Sequence, residues 1–481
     1  MEQQRPDYVM QNPLRSIPSV NELLESPQLT SLVDRVSHNV VVTGVRIFLE
    51  NLREEVQTTA TELNIPTPTE LAQRIAEWIE TSDEPSLRPV INATGILLHT
   101  GLGRAPLAKE AVQALSDAAG YASVEVDLAS GERSQRVVAV EKLLKELTGA
   151  EAAAVVNNNA AATVLTLAAL AHDREVIVSR GELIEIGGSF RLPDVMSISG
   201  ARLREVGTTN KTRGADYRDA ISMDTAALMR VHTSNFRVVG FTEAPTLDEL
   251  VTLGRKRNVP VIDDIGSGAL IDFSKYGVSG EPVASESVKA GADIVLFSGD
   301  KLVGGPQCGI IIGRQNLIKQ IAQHPLMRAL RVDKMTLAAL AATLRLYRDT
   351  ATAEEALPLL ARLSAPLDNL KNRAERLAPQ LGATSAVASA EVAEDKTYLG
   401  GGSVPTQYIP TWCVALMPDK LSVDEFSKAL RVGSPSVFGR VQQDRLVLDL
   451  RSVMPDQDAL IVEAVQRIGG RNQPENPVQS N

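Results

Sequence analysis

The sequence predicts an α/β protein with a mainly parallel sheet, preceded by a helical N-terminal module and followed by a small C-terminal α/β domain. Three observations carry this. Between about residues 90 and 313, short apolar runs alternate with amphipathic stretches, the pattern of strands buried on both faces and joined by crossover helices. Ahead of them, from about residue 19 to 80, apolar residues recur at helical spacing instead. Beyond them, a long helical stretch leads into a shorter mixture of strand-like and helix-like segments.

Taken in order, "VNELLESPQLTSLVDRV", "VRIFLENLREEV" and "ELAQRIAEWI" form the helical module, with Pro66 and Pro68 as breakers. The segment "TSDEPSLRP" reads as a linker. The runs "AAAVV", "EVIVS", "ALMRVH", "VPVIDDI" and "ADIVLFS" read as strands. One helix start is marked by a capping box, Thr246 with Glu249 in "APTLDELVTLGRKR". The stretch "MTLAALAATLRLYRD" is a long helix, and "PTWCVALM", "SVDEFSKALR" and "RLVLDLRSV" form the closing unit. The expected division is 1–82, 83–335 and 336–470, with 471–481 a disordered tail.

At 481 residues and 44% hydrophobic, the chain has ample material for more than one core. No apolar segment near the start resembles a signal peptide, and the small-apolar run 160–171 is too short to span a bilayer, so a cytoplasmic protein without a membrane partner is expected. Cys308 and Cys413 are the only cysteines, which excludes a disulfide framework and a four-cysteine zinc site. Five scattered histidines show no ligand spacing, so no metal is expected. A net charge of −10 argues against indiscriminate binding of phosphate backbones.

In parallel α/β sheets, ligands bind beyond the carboxyl ends of the strands, and the residues there are chemically unusual. After "AAAVV" comes "NNNAAA", where Asn158, Asn159 and Ala160 open a helix whose free N–H groups suit a phosphate; an asparagine-capped turn is the plainer reading of the same residues. After "VPVI" come Asp263 and Asp264, one available to a buried cation and the other to cap the turn. After "ADIVLF" come Ser298, Gly299, Asp300 and Lys301. A lysine after a strand is ordinarily a surface residue. Here Gly299, Gly304 and Gly305 would permit close approach of a ligand, and the flanking apolar runs would favour the neutral amine that a Schiff base needs. A phosphate-binding helix start, a carboxylate and a lysine in this order are the parts of a pyridoxal phosphate site.

The stretches "RPVINATGILLHTGLGRAPL", "VEVDLASGERSQR", "VVNNNAAATVLTLAAL", "RGELIEIGGSFRLPDVM", "VHTSNFRVVGF", "DDIGSGALID", "SGDKLVGGPQCGIIIGR" and "MRALRVDKMTLAALAATLRLY" together resemble the bacterial selenocysteine synthases, the L-seryl-tRNA(Sec) selenium transferases. The resemblance covers nearly the whole chain. It implies a fold-type I pyridoxal phosphate enzyme, with Lys301 as the internal aldimine and Asp264, which directly precedes "IGSG", as the partner of the pyridinium nitrogen. It implies conversion of seryl-tRNA(Sec) to selenocysteinyl-tRNA(Sec) in selenocysteine biosynthesis: β-elimination of the hydroxyl, then addition of selenium from selenophosphate to a dehydroalanyl intermediate. Lys301 would be the base, and Asp300 either assists proton transfer or caps the turn. Arg104, Arg328 and Arg331 would hold the donor anion, as guanidinium forks suit a tetrahedral oxyanion; Arg328 and Arg331, three apart, equally suit one solvated helix face. Cys308 reads as a small buried turn residue. The resemblance also implies a homo-oligomer, a decamer built as a pentamer of dimers.

Two features depart from the family. Gly101 stands where asparagine is common, and the N-terminal module that grips tRNA in the family is acidic here, with six arginines, no lysine and fourteen acids in residues 1–86. Recognition would then rest on RNA shape and a few placed arginines. The alternatives are a pyridoxal phosphate lyase acting on a small amino acid or sugar-acid phosphate, and a non-catalytic tRNA-binding protein.

Overall fold

The computed structural model describes residues 17–58, 66–83, 87–134, 136–188, 190–400 and 407–470; the expected tail, 471–481, lies outside them. The chain divides into two compact units, Met1–Pro89 and Val90–Asn481.

The first unit holds helices α1 (Val20–Leu24), α2 (Pro27–Val36), α3 (His38–Thr58) and α4 (Pro68–Asp83). Ser19 and Glu22 close a capping box on α1, and Ser26 caps α2 with Pro27 at its first position, so each helix begins where orphan N–H groups find an acceptor. The helical spacing becomes one apolar stripe per helix: Leu23, Leu29, Leu32, Val41, Val45, Leu49, Leu71, Ile75 and Ile79 form a common core. Gly44 of α3 lets α4 come close, since a Cβ there would lie 2.5 Å from Ile79 Cγ1. The expected linker begins later than its composition indicates, because α4 takes Thr81, Ser82 and Asp83 into its last turn. Residues 84–86 lie outside the described residues.

The second unit contains, in chain order, β1 (Val90–Asn92), β2 (Ile96–Leu98), α5 (Lys109–Ala118), α6 (Val138–Thr148), β3 (Ala152–Val156), α7 (Asn159–Ala171), β4 (Glu175–Ser179), β5 (Glu185–Ile186), β6 (Phe190–Arg191), β7 (Arg202–Val206), β8 (Thr225–Val231), β9 (Val261–Gly266), β10 (Ile294–Ser298) and β11 (Gly309–Gly313). Seven of these strands form the central sheet, in the order β3-β11-β10-β9-β8-β4-β7. β4, β7, β8, β9 and β10 pair in parallel, and β11 runs antiparallel to both β10 and β3. The sheet is buried on both faces: Val295 and Phe297 of β10 enter one apolar cluster while Ile294 and Leu296 enter the other. This two-sided burial is why the strands read as unbroken apolar runs. The expected capping box is present, with Thr246 N donating to Glu249 Oε2 at 2.8 Å and Glu249 N to Thr246 Oγ1 at 3.3 Å.

The chain then forms β12 (Val387–Gly400), β13 (Ile409–Pro418), β14 (Ser436–Phe438), β15 (Arg440–Gln442) and β16 (Arg445–Asp449). The second large sheet has the order β15-β16-β13-β12-β2, and β1 pairs with β14. Residues 90–98, which precede the central sheet in sequence, are thus held by strands about 300 residues further on. At the centre of this sheet Asp449 is fully buried and accepts from Thr397 Oγ1 at 2.8 Å, Thr411 Oγ1 at 2.7 Å, Arg451 N at 3.0 Å and Arg440 Nη1 at 3.3 Å. Among the described residues no helix is long and apolar enough to cross a membrane, and no cluster of His, Cys, Asp or Glu has the arrangement of a metal site.

Removing the Asp449 carboxylate leaves the buried donors Thr397 Oγ1, Thr411 Oγ1 and Arg451 N without their acceptor, at a cost of about 1–3 kcal/mol for each group left unpaired. Asp449→Ala should therefore lower the melting temperature of the C-terminal sheet in calorimetry by several degrees, while Asp395→Ala, which removes only the half-exposed partner of Arg440, should cost less. Equal melting of Asp449→Ala and wild type would refute the role of this carboxylate.

Candidate active site

The carboxyl ends of β3, β8, β9 and β10 open into one cavity of about 580 Å³, and the residues that follow those strands line it. Arg104, Asn158, Asn159, Ala160, Asp264, Ser298, Asp300 and Lys301 all meet there.

Each wall has a local cause. Asn158 caps α7, accepting from Ala161 N at 2.8 Å, so the first-turn N–H groups of Asn159 and Ala160 face the cavity without a helical carbonyl to bond. Gly309 of β11 makes this approach of α7 feasible, because a Cβ there would stand 2.1 Å from Asn158 O. The Asn159 side chain turns inward: its Nδ2 donates to Asp264 Oδ1 at 2.9 Å, and its Oδ1 is buried without a hydrogen-bond partner.

Strand alternation separates the adjacent aspartates of β9. Asp264 lines the cavity and accepts further bonds from Thr163 Oγ1 at 3.1 Å and Gly266 N at 3.1 Å. Asp263 lies against Arg230 of β8, whose Nε is 3.1 Å from Oδ1 without the alignment of a hydrogen bond. One residue takes both expected parts: Asp264 faces the cavity and also caps the turn through Gly266 N, whereas Asp263 is wholly buried within the sheet. Burial pushes both carboxyls up from their ordinary range. Asp264 has only neutral donors around it, and among the described residues no cation lies within ion-pairing distance of it.

Lys301 is 6% exposed, and no hydrogen bond or ion pair reaches its Nζ among the described residues. Burial, and then the nearby Arg104 guanidinium, hold its pKa below the ordinary lysine value, which favours the neutral amine. Its loop is pinned by Gly299 N to Cys308 O at 2.9 Å, Leu302 N to Ser267 O at 3.1 Å and Gly304 N to Lys301 O at 3.0 Å. The glycines here serve the loop and not a ligand, which corrects the sequence expectation. A Cβ on Gly299 would lie 2.4 Å from Cys308 Sγ, Gly304 takes a φ of +68°, and none of the three lines the cavity. Cys308 is the buried turn residue expected, with burial raising its thiol pKa.

Arg104 holds a left-handed φ of +64° after Gly103 and places Nη1 2.7 Å from Asp300 Oδ2. The two side chains therefore enter the cavity as an ion pair. Arg328 and Arg331 lie elsewhere: within one chain they line a separate cavity of about 1010 Å³ together with Arg133, Arg136, Lys319 and Glu125. They do not share a helix face, since the short helix Leu326–Ala329 ends before Arg331, whose backbone bridges to Val156.

Sequence reasoning missed His232, Ser234 and Asn235, which follow β8 into the cavity, and Glu281 behind His232. The strand-end rule applied to "ALMRVH" would have found His232. Nothing in the pattern signals Ile184, Ile186 and Phe190, which the short β5–β6 ribbon brings to the opposite wall.

Comparison with known proteins identifies the family. The family model described as L-seryl-tRNA selenium transferase matches residues 90–454, and that described as selenocysteine synthase N terminal matches residues 14–53. The chain is similar to proteins named L-seryl-tRNA(Sec) selenium transferase from Hyphomonas neptunium (46% identity over 466 residues, 96% of this chain and 100% of the relative) and Moorella thermoacetica (48% over 464 residues, 95% and 98%). Among solved structures, D-glucosaminate-6-phosphate ammonia-lyase shares the fold, with a TM-score of 0.56 at 23% identity, over 80% of this chain and 96% of that one. From the whole-length match and the constellation at the strand ends, the chain belongs to the L-seryl-tRNA selenium transferase family.

Proposed function

We propose that this chain converts L-seryl-tRNA(Sec) to L-selenocysteinyl-tRNA(Sec), using pyridoxal phosphate held at the ends of β3, β9 and β10. The observation that carries the reading is the buried Lys301 amine, without a hydrogen-bond or ion-pair partner among the described residues, in one cavity with the Asp264 carboxyl, bound only by neutral donors, and the start of α7. These residues fit the cofactor. Asp264, buried among neutral donors, would match the ring cation; the N–H groups of Asn159 and Ala160 and the Ser298 wall would take the phosphate; Lys301 would bind the aldehyde carbon. When bound, the cofactor supplies an electron sink for the bond broken at the seryl α-carbon.

The remaining steps fall to the chain. Lys301, with its neutral amine favoured by burial, takes the α-proton at Nζ. The β-hydroxyl then leaves, and selenium adds to the resulting dehydroalanyl residue. Arg104 keeps the Asp300 carboxylate oriented toward the cavity at 2.7 Å, where it can take a proton from the seryl amine. The walls Ile184, Ile186 and Phe190 limit water around the reacting carbon.

We assign selenophosphate as the donor, with Arg328, Arg331 and Arg104 as its anion clamp. The first two lie on a separate cavity of the same chain, so this assignment requires a second copy to bring them to the first copy's site. A homo-oligomer is part of the proposal, a decamer of five dimers by family likeness. The acidic helical module is taken as the tRNA-reading part, and the cytoplasm, where charged tRNA is used, as the location. The lyase alternative is disfavoured because the relatives that match over the whole chain, module included, carry the selenium transferase name.

Lys301→Ala should abolish the visible absorbance of the loaded protein and its borohydride-fixable label, and leave melting behaviour near wild type. A label retained in the variant would assign the Schiff base to another lysine. Arg328→Ala and Arg331→Ala should each weaken selenophosphate-dependent product formation by about tenfold or more, the worth of one charge-assisted contact. Dehydroalanyl-tRNA formation without donor should be spared. Donor titrations identical to wild type in both variants would place the anion site elsewhere.

A further inference from the structure

Departure of the β-hydroxyl as water at neutral pH requires a proton donor at the leaving oxygen. The titratable residues lining the cavity are Arg104, His232, Asp264, Asp300 and Lys301. Arg104 and Asp300 are paired with each other, Asp264 is bound on three sides, and Lys301 is the base. His232 is the group left uncommitted.

Its setting is that of an oriented acid. His232 follows β8, and its N–H bonds to Asp264 O at 2.9 Å, which ties it to the strand carrying the ring-facing carboxylate. Its Nε2 lies 3.8 Å from Glu281 Oε1, and the Glu281 side chain is 1% exposed. Glu281 Oε2 accepts from Ser267 Oγ, whereas Oε1, the oxygen toward the histidine, is buried with no hydrogen-bond partner. A buried carboxylate oxygen without a donor is costly unless a cation or N–H comes to it, and the imidazole is the group in reach. Ser267 also accepts Leu302 N at 3.1 Å, so one turn holds Glu281 and the Lys301 loop in fixed relation. No hydrogen bond to His232 Nδ1 occurs among the described residues. Other charges near the ring are Asp263, Arg230 and Lys301, with Glu182, Lys211 and Arg237 lining the adjoining cavity of about 400 Å³ that His232 also borders.

Resting on the functional reading above, we propose that His232 is a further catalytic residue, the acid that protonates the departing β-hydroxyl, and that Glu281 is its positioning residue. In this step Lys301 Nζ takes the α-proton and the released electron pair forms the Cα–Cβ double bond. The Cβ–O bond breaks, and the oxygen leaves with its bonding pair and the His232 proton, as water. The imidazole is left neutral and recovers its proton from solvent. The step consumes no oxidant or reductant.

The test compares leaving groups on the full-length, cofactor-loaded enzyme. With seryl-tRNA(Sec), His232→Asn should slow elimination by about 100-fold or more, the contribution of a general acid. With the same tRNA chemically acylated by β-chloroalanine, which loses chloride and needs no proton, the loss should stay within about threefold, since the acid no longer takes part. Equal losses with both esters would make His232 merely structural and overturn the proposal while leaving the functional reading in place. A wild type that eliminates from neither ester would overturn the functional reading itself. The same comparison tests Glu281: Glu281→Gln should slow elimination from seryl-tRNA(Sec) by about tenfold and leave the chloro ester within about threefold, since the imidazole loses the carboxylate that orients it. An unchanged rate with the seryl ester, or equal losses with both, would overturn the part assigned to Glu281.

Discussion

Burial of a primary amine at the end of β10 is the constraint on which the rest of the site depends. Lys301 is 6% exposed, no hydrogen bond or ion pair reaches its Nζ among the described residues, and the attraction of Asp300, Asp264 and Glu281 does not make up for the hydration an ammonium there would lose. The chain resolves this by favouring the neutral form, and Arg104 pushes in the same direction. A neutral amine is also the reactive form toward an aldehyde and the form that accepts a proton. The cost of desolvation and the chemistry of the site are thus one fact.

Holding such a residue requires a stiff frame. The loop after β10 folds back on β11 through Gly299 and Cys308, and the turn after β9 receives the Leu302 N–H, so the lysine is fixed from two strands at once. α7 is held by an equally tight contact, Gly309 against the Asn158 carbonyl, and its own side chains Asn159 and Thr163 fix Asp264. These contacts cross between β3, β9, β10 and β11, neighbours or near neighbours in the central sheet. The parallel sheet therefore acts as the ruler that sets the distance between the amine, the carboxylate and the helix start.

Much of this was legible in the sequence. Strands buried on both faces stand out as apolar runs, and a strand-end rule then selects Asn158, the pair Asp263 and Asp264, Ser298 and Lys301 without any structure. What misled was local chemistry read without its neighbours. Gly299 looked like room for a ligand and is room for Cys308; the cavity carboxylate and the turn cap looked like two residues and are one, Asp264, while Asp263 is the buried mate of Arg230. Arg328 and Arg331, which the resemblance implies hold the donor anion, line another cavity within one chain, a placement no short stretch of sequence indicates.

By itself the sequence determined the class of fold, the helical module, the chemical parts of the site and the strand ends that carry them, because hydrophobic period, caps and residue type are local properties. Only the tertiary structure decided which of two adjacent carboxylates faces the cavity, that Arg104 meets Asp300, that β1 and β2 are held by the C-terminal strands, and that His232 stands before Glu281. Those are pairings between residues from about 50 to 350 positions apart. Their geometry depends on how strands order themselves in the sheet and on which side chains must share a buried charge, and neither quantity leaves a mark on any short stretch of chain.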